Sequence, residues 1–140
     1  NELLHATDQY PFLHLFDQPF VTVSDLEKTL RNAHFIWLPS KVQFKDKMGE
    51  EETYGISKNS GVVNDAICYG KPMILPQGFC IEEGQEPSVL RYQNTNEIVS
   101  QLHEIIMAPE KYHSLMGNAH VFSSKYTLQA MQSLLKKILE

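Results

Sequence analysis

Between Ser60 and Pro76 the chain reads Ser-Gly-Val-Val-Asn-Asp-Ala-Ile-Cys-Tyr-Gly-Lys-Pro-Met-Ile-Leu-Pro, and this stretch limits the possible folds more than any other. Small polar residues open a short helix whose apolar side is Val62, Val63, Ala66 and Ile67. Gly70 suits the left-handed position that ends a helix, and Pro72 forbids its continuation. An apolar run then follows at once, read as a strand over 72–75. A helix returning directly into a buried strand is half of a crossover unit, the element from which parallel sheets are built. The first N–H groups of such a helix have no intrahelical acceptor and carry partial positive charge, so the loop at Ser60 is a natural seat for phosphate.

The rest of the chain repeats the alternation. A helix tail is expected near 2–8 and a short strand over 12–16 (FLHLF). Ser24-Asp25 reads as a helix cap followed by Leu26, Leu30 and Ala33 at helical spacing. A strand is expected over 34–38 (HFIWL), stopped by Pro39. Residues 40–59 are polar and charged, and read as a long mobile surface loop. A loop over 77–87 precedes a strand over 89–92. Thr95-Asn96 then caps a helix carrying Ile98, Leu102, Ile105 and Ile106. Pro109 opens another helix, with Tyr112, Leu115, Met116 and Ala119 inward. The last helix carries Leu128, Met131, Leu134, Leu135, Ile138 and Leu139. The expected fold is therefore α/β: a Rossmann-like three-layer sandwich around a mainly parallel sheet, read as a single domain over 1–140. In such sheets ligands bind beyond the carboxyl ends of the strands, which places the loops 40–59 and 77–88 and the Ser60 helix start around a common site.

Composition narrows the partners. With 140 residues and a formal charge of −5, the chain can bury a core but offers no net basic face for nucleic acid. Lys41, Lys45 and Lys47 cluster locally, amid Asp46 and Glu50 to Glu52, and read as a solvated loop. Cys68 reads as buried on its helix and Cys80 as a loop residue; they form no CxxC pair, and reduced thiols in a cytoplasmic setting are expected. No run of the sequence is apolar and long enough to span a bilayer. There is no GxGxxG, Walker loop or GxSxG elbow. His103-Glu104-Ile105-Ile106-Met107 begins like a zinc-protease helix, but Met107 stands where the second histidine belongs, and no metal site is expected.

Three segments in fixed order carry a family resemblance: SDLEKTLRNAHFIWLPS, DAICYGKPMIL and NTNEIVSQLHEIIMAPEKYHSLMGNAHVFSSKYT. From Val23 onward the chain resembles the carboxyl-terminal, donor-binding domain of GT-B-fold glycosyltransferases of the retaining, glycogen-synthase type. The resemblance implies a nucleotide-diphosphate sugar, UDP- or GDP-linked, as donor substrate, with no cofactor and no metal. It also implies a glycan or lipid-linked acceptor bound by a separate amino-terminal domain, and a setting in polysaccharide assembly, either in the cytoplasm or at the inner face of the membrane. The absence of an initial methionine and of the family's Arg-x5-Lys pair implies a piece of a longer enzyme that does not turn over alone.

Residue by residue, Asp65 takes the place of the family's second glutamate, which binds the ribose. The N–H groups and side chains of Lys58, Asn59, Ser60, Gly61 and Val62 take the diphosphate. The first glutamate should stand at position 57, which is Ser57; Glu52, in Glu52-Thr53-Tyr54-Gly55-Ile56, is the alternative candidate for that catalytic place and requires an insertion. A non-catalytic GT-B-like interaction module and a sugar epimerase of similar fold are the competing readings.

Overall fold

Helix and strand meet at Gly70 as the local pattern dictates. In the computed structural model, which describes Phe16 and residues 20–139, helix α2 (Gly61–Tyr69) ends with Gly70 at φ 58°. The Gly70 and Lys71 N–H groups donate back to Ile67 and Ala66 carbonyls, which closes the helix end. Strand β4 (Met73–Pro76) follows. It is the centre of a three-stranded parallel sheet in the order β1-β4-β5, where β1 is Ile36–Trp37 and β5 is Val89–Tyr92. Ile36 aligns with Met73, and Met73 with Val89. Met73, Ile74 and Leu75 are all buried, as a central strand covered on both faces requires.

The chain divides into two compact units, Asn1–Arg31 and Asn32–Glu140. Nearly all of helix α1 (Val23–Asn32) belongs to the first. Its start is fixed by Thr22 rather than Ser24-Asp25. The Thr22 hydroxyl accepts from the Asp25 N–H at 3.1 Å and donates to the Asp25 carboxylate at 2.7 Å, a reciprocal cap that the Ser24 position cannot make. The helix and strand expected over 2–8 and 12–16 lie outside the described residues, except for the exposed Phe16.

In the second unit the strand expected over 34–38 shortens to Ile36–Trp37, with the Ile36 and Leu38 N–H groups donating to the Pro72 and Ile74 carbonyls. His34 and Phe35 instead set their rings against Tyr112. The expected long loop over 40–59 is in part a hairpin, β2 (Gln43–Lys45) with β3 (Glu51–Thr53). Asp46 makes its turn: one carboxylate oxygen accepts from the Met48 and Glu50 N–H groups, and Gly49 supplies φ 87°. Cys68 is exposed, not buried. It lies two residues, or about 200°, around the helix from the buried Ala66.

The strand expected over 72–75 is shifted by one residue. The loop after β4 contains a 3-10 helix, Glu83–Ser88, which feeds β5. Helix α3 (Thr95–Met107) is capped by Asn94, whose Oδ1 accepts from the Glu97 N–H at 3.1 Å, while Glu97 accepts from the Gln93 N–H at 2.6 Å. Asn94 displaces the expected Thr95-Asn96 cap because the pair with Glu97 satisfies donors on both sides of the helix start. Ile98 is its buried residue, and Ile106, expected inward, is exposed.

Helix α4 (Pro109–Ser124) begins at Pro109 and buries Ala119 and Phe122 against the 3-10 helix. Its Ser123 hydroxyl donates to the Ile67 carbonyl at 2.6 Å, tying α4 to the end of α2. Helix α5 (Leu128–Leu139) leaves Leu128, Leu134, Leu135, Ile138 and Leu139 exposed on its surface.

Candidate functional site

The chain leaving the carboxyl ends of β1 and β4 encloses a cleft of about 190 Å³ at the start of α2. One wall is Asn59, Ser60, Val63, Asn64 and Ile67, the cap and one face of α2. The opposite wall is Phe79 to Glu82 and Gln85 from the loop after β4, and Gly55 closes the side next to the hairpin. The loop wall is held by Arg91 on β5. Its guanidinium forms a fork on Glu86, at 2.8 Å to each carboxylate oxygen, and also donates to the Phe79 carbonyl at 2.7 Å and the Pro76 carbonyl at 3.3 Å. A second brace is the Tyr126 hydroxyl, which donates to the Glu82 carboxylate. That bond, reinforced by burial and the negative charge, pushes the Tyr126 phenol above its ordinary pKa.

Electrostatics distinguish this cleft from a pure phosphate cradle. Its one lining ionisable carboxylate is Glu82, and no lysine or arginine lines it. Positive potential comes from the α2 terminus, where Ser60 occupies the cap position in extended conformation without a side-chain cap bond. The Gly61 and Val62 N–H groups, in the first turn, have no intrahelical acceptor.

The site residues expected from sequence separate into three groups. Asn59 and Ser60 line the cleft; Gly61 and Val62 begin the helix beside it. Asp65 follows Asn64 on α2 but is not among the residues that line the cleft, about 100° further round the helix; it is half-buried. Lys58 and Glu52 go elsewhere. The Lys58 ammonium lies 5.3 Å from the centre of the Phe44 ring, and Glu52 sits on β3 opposite Phe44, lining a separate hollow on the hairpin. Gln85 and Glu82, which sequence reasoning did not single out, carry no motif; only their place in the loop following a strand pointed to them.

Arg91→Lys tests the brace. Lysine keeps the charge but cannot span a carboxylate and two carbonyls, so a stability loss of about 1–2 kcal/mol and faster amide exchange in the Phe79–Glu86 loop are expected. Unchanged exchange there would show that Arg91 does not hold the wall. Hydrogen bonding from Arg91 lowers the pKa of the Glu86 carboxyl from its ordinary 4.5, against opposing desolvation. A lowered folded value means the pair contributes at pH above 4.5 and is lost as pH falls through the folded value; solvent exposure of Glu86 keeps this contribution small.

Among the described residues no cluster of histidine, cysteine or acidic side chains is arranged to hold a metal ion, and no helix is long and apolar enough to cross a membrane. No family model, no curated protein and no solved structure matches the chain.

Proposed function

We propose that this chain is the donor-binding part of a GT-B-fold glycosyltransferase, seating a nucleotide-diphosphate sugar at the start of α2. The observation that carries the reading is the cleft beyond the carboxyl ends of parallel strands, with a helix N-terminus on one wall. The Gly61 and Val62 N–H groups take the diphosphate, with Asn59 and Ser60 beside them. Asp65 accepts from the ribose hydroxyls. Acceptor binding and the remaining transfer chemistry come from a separate amino-terminal domain, in a cytoplasmic setting, on a glycan or lipid-linked acceptor.

A second reading is a non-catalytic module of the same fold. It is favoured by Ser57 in place of a glutamate, by Glu52 lying on the hairpin, and by the lack of a cation in the cleft lining. Titration calorimetry with UDP and GDP separates the two. Saturable binding of at least one is expected, weakened about tenfold by Asp65→Ala through loss of a charged hydrogen-bond acceptor. Heat of dilution alone with both nucleotides would leave the module reading in possession.

A further inference from the structure

Helix α5 carries its large apolar side chains on one side and leaves that side uncovered. At about 100° per residue, Leu134, Ile138, Met131, Leu135, Leu128 and Leu139 fill a continuous arc of about 140°. All six are between 44% and 85% exposed. Within Leu128–Leu139 the half-buried residue is Ala130, which lies outside that arc. A contiguous apolar face of this kind marks an interaction surface.

Charge indicates which surface. The chain has 17 acidic residues, yet none lies in Leu128–Leu139. The charged residues there are Lys136 and Lys137, both exposed. They sit about 130° to either side of the middle of the apolar arc. Laid apolar side down on a plane, the helix holds both ammonium groups at one height, and their stems reach toward the plane on each flank. Gln129, Gln132 and Ser133, uncharged and exposed, complete the polar side. A flat apolar layer bordered by anionic head groups meets all of these features. The 12 residues of α5 rise about 18 Å, too little to cross a hydrocarbon core of about 30 Å, so the helix lies in the interface.

A second copy of the chain fits the face less well. Paired antiparallel, α5 would bring its lysines to the positive N-terminal end of the partner helix; paired parallel, it would bring them to the partner's lysines. No carboxylate within Leu128–Leu139 compensates either arrangement. The apolar arc is also wider than the seam of Leu128, Met131, Leu135 and Ile138 on which two helices pair, because Leu134 and Leu139 extend it on both sides.

We propose that α5 is a membrane-surface helix, which lays its leucine-rich face into the interface of an anionic lipid bilayer and sets Lys136 and Lys137 against the head groups. None of its residues lines the cleft at α2, so the proposal does not rest on the nucleotide-sugar reading.

The test sediments the whole chain with vesicles of phosphatidylcholine alone, and with vesicles in which about one third of the lipid is phosphatidylglycerol. At low salt the anionic vesicles should bind it about tenfold more tightly, and the gap should close as salt rises. Leu135→Ser combined with Ile138→Ser should weaken binding to the anionic vesicles about tenfold. Both side chains are exposed, so the urea unfolding transition of that variant should stay in place. Lys136→Gln combined with Lys137→Gln should keep the binding to neutral vesicles and lose most of the preference for anionic ones.

No sedimentation with either vesicle, or equal sedimentation with both, overturns the proposal. So does binding that survives both pairs of substitutions, which would place the contact elsewhere on the chain. Concentration-dependent dimerisation in the ultracentrifuge, abolished by the Leu135→Ser and Ile138→Ser pair and unaccompanied by vesicle binding, would assign the face to a second copy instead.

Discussion

Replacing Gly55 by alanine should cost about 3 kcal/mol of stability, although Gly55 lies on the surface. Two effects combine. Gly55 has φ +83°, where an L side chain costs about 1–2 kcal/mol. A methyl there would also lie 1.9 Å from the Cys80 carbonyl oxygen and 2.6 Å from its carbon, both backbone atoms that cannot swing away. Forcing the hairpin off the loop adds the roughly 1–3 kcal/mol typical of overpacking. Gly49→Ala is the matched control, since Gly49 has φ +87° with nothing within 4 Å of the added carbon and should lose only the conformational part. Urea unfolding with unchanged slope measures both. Equal losses at the two positions would mean that the hairpin is not held against the Cys80 loop.

Leu75→Ala should be comparably severe. Leu75 is 0% exposed on the central strand, between β1 and β5, and truncation there removes buried methyl groups while leaving a cavity that paired backbone cannot close. A loss of about 2–5 kcal/mol is expected. Leu135→Ala removes the same atoms from a side chain that is 56% exposed on α5 and should stay within about 0.5 kcal/mol. If the two variants unfold together, Leu75 is not part of the core that positions the cleft.

These cases show which parts of the structure were legible in the residues and which were not. The α2–Gly70–β4 unit is local: the apolar spacing, the left-handed glycine and Pro72 all act within a few residues, so the pattern and the fold agree. The hairpin was hidden because its strands are rich in charge and pair only with each other. The one signal was the alternation Val42, Phe44 against Gln43, Lys45, together with Asp46 before Gly49, and the lysines and glutamates around it read as loop. The burial of Cys68 was misjudged because a nine-residue helix has few inward places, and the helix–sheet packing chose Ala66 for one of them.

The candidate site divides in the same way. Asn59 and Ser60 follow from a helix start, which is a local property. Gln85 and Glu82 become neighbours of that start only through the parallel register of β4 and β5 and the brace from Arg91, and neither is visible along the chain. Glu52 shows the converse. The resemblance of Glu52-Thr53-Tyr54-Gly55-Ile56 to a family segment suggests it for the site at the cost of an insertion, and cross-strand pairing with Phe44 holds it on the hairpin.

The most direct measurement of the central claim is a map of backbone amide shifts in the labelled chain on addition of UDP or GDP, without sugar. A diphosphate on the α2 terminus should move the Gly61, Val62 and Asn64 amides strongly, with saturation, while resonances of α5 stay in place. Saturable shifts confined to other surfaces, or none with either nucleotide while the fold is intact, would contradict the account.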